Sequence, residues 1–447
     1  MVTQGGEARF PLFSRTMRTR HCRLLTFAIL AIALLTIRYL GNQRIPMAII
    51  SGLLVFLCLF MSDSELVPAV VFLIPFETAI QIVTIYGAIL IMLIARHWHH
   101  MRVSFLSIPI LSLVVLEGAH VLVTPFDMLQ YLKVVVVYSL VAVLVYSDTI
   151  RIDYRAVLTW FVVGVCAFSA LATVYDLGRN GYSLIQMISS GTRLGDTGLR
   201  AFDGGYGLYD NPNAIGTMLC VALSVYLVGL HARGRVLPTD FLLIGMLITV
   251  GLLTRSRAFI VTLLAQMTFT MTVSRRLSRW VSGSAAILLI AVLMIIATGR
   301  STFVESVLSR FGVDFLSGRL EVFRAYNAYL LDHPWNLVFG IGLQSMNVKA
   351  NIIHSPHNVV QEVMVAWGLV GVGIAFLLLL SVFRRGMLKR SQGLMHHLPM
   401  FTILFLAQSG QFFSKLPAPV LLVVAFCSYR WEPSRLVTKT HPIGTGV

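Results

Sequence analysis

The chain has 447 residues, of which 57% are hydrophobic and only 12% charged, with a net charge of +16 and a mean hydropathy of +0.81. Soluble domains carry about 25% charged residues, so this composition excludes a soluble globular protein. The cations fall in alternate short loops rather than in one stripe, which argues against nucleic acid as the partner. What it predicts is an all-α, polytopic transmembrane helical bundle of about 12–14 spans with a helical loop on the outer side.

In chain order, residues 1–23 form a basic arm with Arg9, Arg15, Arg18, Arg20 and Arg23. A first span follows near 24–40, and Leu35-Thr36-Ile37-Arg38 offers no small-residue cleavage site, so the span is expected to be retained. Further spans are predicted at 46–61, 103–124, 129–146 and 156–175, with a pair inside 62–95 interrupted by Pro68 and Pro75. The second half adds 213–231, 237–253, 258–273, 282–298, 358–383, 396–413 and 417–430, making 24–430 one membrane domain. Arg96, Arg102, Arg151, Arg155, Arg233, Arg235, Arg275, Arg276, Arg279, Arg384, Arg385, Lys389 and Arg390 then all fall on one side. The positive-inside rule makes that side cytoplasmic, together with the arm and the 431–447 tail. The polar segments 176–212 and 299–357 are placed on the other side. Four of the five cysteines lie inside apolar runs and Cys22 lies at an edge, without metal spacing, so disulfides and thiol chemistry are not expected.

Within 299–357, Ser317-Gly318 can start a helix with Leu320, Phe323, Tyr326 and Leu330 on one face, ended by Asp332-His333-Pro334. Such a helix is expected to lie along the outer leaflet or to cap a cavity.

Cations on the outer side run against the topological bias, so each needs a reason. Arg200 precedes Asn211-Pro212, Arg255 and Arg257 share a tight turn, and Arg319 follows Gly318. Singly, these read as loop charges, headgroup anchors or a helix-start residue. Together they face one compartment, and a guanidinium pairs planar and bidentate with phosphate. The stretch Ser355-Pro356-His357-Asn358 opens a membrane-length apolar run. With Ser355 as N-cap and Pro356 at the first helical position, His357 is predicted in the first turn, where the helix start disfavours its charged form. That makes His357 a candidate general base, although an imidazole there can also serve only as a cap. Gln361, one turn on, could orient the ring or a sugar hydroxyl. His354 is a weaker candidate, and Glu362 is an intramembrane carboxylate that must be paired or functional. There is no paired-aspartate motif or carboxylate cluster outside, so no metal and no cofactor are expected.

Pro356-His357-Asn358-Val359-Val360-Gln361-Glu362, leading into Trp367-Gly368-Leu369-Val370-Gly371, carries a resemblance. With His333-Pro334, Phe339-Gly340-Ile341-Gly342, Asp210-Asn211-Pro212-Asn213 and Leu253-Thr254-Arg255-Ser256-Arg257-Ala258, it resembles the bacterial O-antigen ligase and O-antigen polymerase superfamily over roughly residues 195–380. The resemblance implies an inverting, metal-independent glycosyltransferase of the bacterial inner membrane. It would move a glycan from undecaprenyl pyrophosphate to a sugar hydroxyl at the periplasmic face. It further implies that His357 is the catalytic histidine, that Arg200 and Arg257 bind pyrophosphate, and that Arg319 adds a further contact. The acceptor would be lipid A core, a second lipid-linked glycan or, in a protein O-oligosaccharyltransferase, a protein. The rival from another class is a secondary transporter or lipid flippase, whose mark would be spans broken at corresponding positions of two halves.

Overall fold

A computed structural model of the chain describes residues 22–41, 45–123, 128–183, 186–187, 193–195, 208, 212–234, 236–283, 317–344, 346–387, 393–408, 412–415 and 418–431. Arg200, nearly all of the predicted 282–298 span, both terminal arms and much of the two polar segments lie outside the described residues.

The first half runs α1 (Cys22–Tyr39), α2 (Met47–Leu59), α3 (Asp63–Leu73), α4 (Ile82–His97), α5 (Ile108–Val123), α6 (Met128–Tyr146) and α7 (Tyr154–Asn180). The second half runs α8 (Pro212–Arg233), α9 (Pro238–Leu253), α10 (Arg257–Val273), α11 (Ser317–Asp332), α12 (Pro334–Phe339), α13 (Met346–Lys349), α14 (Val359–Gly386), α15 (Leu398–Ala407) and α16 (Leu421–Arg430). Among the described residues, six helices are long and apolar enough to cross a membrane: α1, α5 with its preceding turn, α6, α7, α8 and α14. Six shorter apolar helices accompany them. Among the described residues there is no strand, only an isolated bridge between Val103 and Ser147. The chain is an all-α polytopic bundle.

At its centre lies α3, buried without interruption from Glu65 to Leu73. Pro68 is accommodated inside this helix instead of ending it. The 62–95 run divides instead at the 3-10 turn Ile74–Phe76, where Pro75 sits near the start and its missing N–H costs nothing. Close packing of α3 on α7 depends on Gly164, where a Cβ would come 2.4 Å from the Phe72 carbonyl oxygen. Small residues let membrane helices approach backbone to backbone in this way. Phe72 then meets Phe27 and Trp160 edge to face at 6.4 and 6.0 Å.

Each end of the bundle is tied by polar contacts. At one end Asp63 takes Arg96 at 3.0 Å and His97 at 2.5 Å, Asp148 pairs with Arg385, and Asp240 takes Arg233 at 2.5 Å. The basic loops thus gather in space. At the other end Thr78 donates to the Leu208 carbonyl at 3.1 Å, Leu194 N donates to Leu253 O at 3.0 Å, and Gln361 donates to Phe323 O at 2.9 Å.

The long helix α14 is interrupted at Gly368, with φ 64° and ψ −161°. The carbonyls that the break frees do not stay open: Val365 O accepts from Ile341 N at 2.9 Å and Ala366 O from Gly342 N at 2.8 Å. Buried Glu117 on α5 closes the same unit, accepting from Leu343 N at 2.9 Å and from Trp367 Nε1 at 2.8 Å. The stretches Phe339–Gly342 and Trp367–Gly368, far apart in sequence, are therefore one structural joint.

Helix α11 spans the residues anticipated from its pattern, but its buried face is rotated. Val322, Tyr326 and Leu330 are buried, whereas Leu320 and Phe323 are each 43% exposed. The i, i+4, i+8 row wins because Tyr326 is also drawn inward, donating its hydroxyl to the His354 carbonyl at 3.0 Å.

Candidate functional site

The end of the bundle opposite the basic loops holds a cavity of about 740 Å³. The first turns of α8 and α10, residue Arg319 of α11, the loop before α14, the end of α15 and the segment 412–415 all contribute to its wall. Met218, Val221, Val261, Ile403, Leu406 and Leu421 give the cavity part of its lining as apolar surface. Five cations also line it, Arg193, Arg255, Arg257, Arg319 and Lys415, with His354 and His357, and Glu77 is the acidic lining residue.

The turn between α9 and α10 is built to turn two guanidiniums inward. Ser256 caps α10, its Oγ accepting from Phe259 N at 3.3 Å. Arg255 takes φ 48°, a conformation that side chains other than glycine rarely adopt, and donates its N–H to Leu252 O at 2.9 Å. Only 2% of Arg255 is exposed, so it is not a headgroup anchor; it lines the cavity. Arg257 is the first residue of α10, where unpaired backbone N–H groups and the dipole end add to its own charge. Arg193 reaches the same turn, donating Nε to Thr254 O at 3.1 Å. Buried Asp176 steadies that strand of chain by accepting from Gly195 N at 2.6 Å.

Helix α14 does not begin where Ser355-Pro356 suggests. Its N-cap is Asn358, whose Oδ1 accepts from Val360 N at 2.8 Å and Gln361 N at 3.3 Å. Asparagine satisfies two of the helix's orphan donors at once, so it prevails over Ser355. His357 therefore stands just outside the helix and not in its first turn. Although His357 is exposed at its outer edge, its imidazole lies below the ordinary value of about 6.5, first through partial desolvation, then through Arg319, His354 and Lys415. A neutral ring results by this route, not the helix-terminus route expected from the sequence. Arg319 is likewise lowered, by burial and then by Arg257, which sets the two guanidiniums within electrostatic reach of each other.

Gln361 does not line the cavity. It is 4% exposed, and its amide is committed to Phe323 O, where it ties α14 to α11. Glu362 is paired inside the bundle. One carboxyl oxygen accepts from Phe412 N at 2.7 Å and Phe413 N at 3.1 Å; the other accepts from Ser414 N at 2.7 Å and from the Ser414 hydroxyl.

Of the residues singled out from sequence, the fold brings His357, His354, Arg255, Arg257 and Arg319 to one cavity. Sequence reasoning missed Arg193, Lys415 and Glu77. The two cations carry the signal that marked the others, positive charge away from the basic loops. Among the described residues, no three His, Cys, Asp or Glu side chains gather as a metal site. No family model matches the chain, and no curated protein is similar to it.

Proposed function

We propose that the protein is a glycosyltransferase of the bacterial inner membrane that moves a glycan from undecaprenyl pyrophosphate to a sugar hydroxyl at the periplasmic face. The observation that carries this reading is the gathering of His357 with Arg255, Arg257 and Arg319 in one cavity that apolar side chains such as Met218, Val221 and Leu406 also line. An amphiphile with a doubly charged phosphate head and a hydrocarbon tail matches that mixed lining.

In the reaction, neutral His357 takes the proton of the acceptor hydroxyl. The oxygen attacks the anomeric carbon from the face opposite the pyrophosphate, the carbon–oxygen bond to phosphate breaks, and configuration inverts. The arginines receive the charge that develops on the departing pyrophosphate. General-base catalysis is worth about 10²–10⁴-fold; preorganised charge supplies much of the remainder. The acceptor is lipid A core, as in a ligase, or a second lipid-linked glycan, as in a polymerase. The transport reading is disfavoured because the carbonyls freed at the Gly368 break are already taken by Ile341 and Gly342, whereas a transporter would leave such groups for an ion.

Lysine keeps the charge of arginine but not its bidentate fork. Arg255→Lys, Arg257→Lys and Arg319→Lys are each expected to lower transfer by about tenfold or more, the value of a charge-assisted hydrogen bond. The assay is conversion of undecaprenyl-pyrophosphate-linked glycan by purified protein in detergent with EDTA present. Full activity of all three variants, or loss of wild-type activity in EDTA, would refute the metal-free clamp.

A further inference from the structure

Glu362 and Lys415 are joined by an arrangement that the reaction as described does not use. The carboxyl group of Glu362, on the first turn of α14, is fully buried and receives only donors: three successive backbone N–H groups, from Phe412 to Ser414, and the Ser414 hydroxyl. Such a set suits an acceptor-only carboxylate. The segment so gripped has its next residue, Lys415, on the cavity wall, and Phe412 on the wall at its other end. Glu362 also lies one turn beyond the loop that carries His357, and Asn358 on that loop donates to Gln408 Oε1 at 3.1 Å, at the end of α15. The base and the 412–415 segment are thus mounted on the same helix start.

We infer that Glu362 is a positioning residue whose grip on 412–415 holds the Lys415 ammonium beside His357, where it binds the anionic group of the substrate. This rests on the proposed function only for the nature of the anion. The juxtaposition is independent of it. A packing role alone for Glu362 would stabilise the helix pair without linking it to the ionisation of His357. Facing the imidazole are Lys415 from the gripped segment, Arg319 from α11 and His354 from its own loop, while Arg257, Arg255, Arg193 and Glu77 line the same cavity. Lys415 is the member of this set that Glu362 controls.

The test uses the full-length protein in detergent and diethyl pyrocarbonate, which acylates an imidazole only in its neutral form. Mass spectrometry of the His357 peptide follows its modification against pH, with no dependence on enzymatic activity. Lys415→Met removes a neighbouring cation, so the His357 titration should move to higher pH, and Lys415→Arg should leave it as in the wild type. Glu362→Gln presents an amide N–H₂ to backbone donors and should release the segment, giving a shift in the same direction. The double variant should shift no further than Lys415→Met, because both changes act through one group. Inorganic pyrophosphate should bind Lys415→Met about tenfold more weakly or worse, as loss of one charge-assisted hydrogen bond requires. An unmoved titration in Lys415→Met, or additive shifts in the double variant, would overturn the inference. Where Glu362→Gln does not fold, Ser414→Ala, which removes one donor to Glu362, takes its place: it should shift the titration in the same direction, and an unmoved titration in the folded grip variant would overturn the inference. If these shifts appear while no variant or wild type transfers glycan, the proposed function fails and the positioning role stands.

Discussion

His357 keeps an exposed edge, and its protonation is opposed by partial desolvation and by the positive field of Arg319, His354 and Lys415. A base whose value is lowered stays neutral to more acidic pH, so the acid limb of kcat/KM should lie below the ordinary imidazole value of about 6.5. Arg319→Gln removes one opposing charge and should move that limb to higher pH; rates between about pH 5 and 8 would show it. A wild-type limb at or above the ordinary value would contradict the surroundings described for His357. At this scale the sequence is legible where a residue runs against local bias. An imidazole ahead of an apolar run and arginines away from the basic loops are such cases. Arg193 and Lys415 were harder to see because their partners are remote: Arg193 meets Thr254, and the Lys415 segment is held by Glu362. The buried placement of Arg255 on the cavity wall has no sequence signature, since it goes with a backbone φ of 48° that no local pattern announces.

Helices show a similar division. The apolar runs and the start and end of α11 follow from hydrophobicity and punctuation, and the structure places them close to the expected bounds. What could not be read were the features set by neighbours: the cap at Asn358 in place of Ser355, the rotated face of α11, and the break in α14. The break is the clearest example. At Gly368 a Cβ would come 2.2 Å from Val338 O, and φ is 64°. Positive φ alone costs an ordinary residue about 1–3 kcal/mol, and the overlap with backbone adds to it. Gly368→Ala should therefore lower the thermal midpoint of the purified protein. Gly373→Ala, in the same helix with nothing within 4 Å of the added Cβ, should not. Equal midpoints for the two variants would show that the joint between 340–342 and α14 carries no stability.

For the whole molecule, hydropathy and charge placement suffice for the bundle, because a membrane leaves helices as the way to satisfy backbone groups within one segment. The cavity is another matter, assembled from eight stretches of the chain that no local pattern connects. Its sidedness is open to direct measurement. In a background without native cysteines, Val348→Cys, at a position 73% exposed near the cavity end, should react with an impermeant thiol reagent added to the periplasm. Arg384→Cys, among the basic loops at the other end, should not. The reverse pattern would place the cavity in the cytoplasm and remove a periplasmic transfer reaction. The central claim is that the cavity performs glycan transfer with His357 as its base, and its most direct test is turnover of a defined undecaprenyl-pyrophosphate-linked glycan by purified protein with a suitable acceptor. The wild type should release undecaprenyl pyrophosphate and form an inverted glycosidic bond, and His357→Ala should be about 10²–10⁴-fold slower while inserting normally; His357→Ala turning over at the wild-type rate would contradict the account.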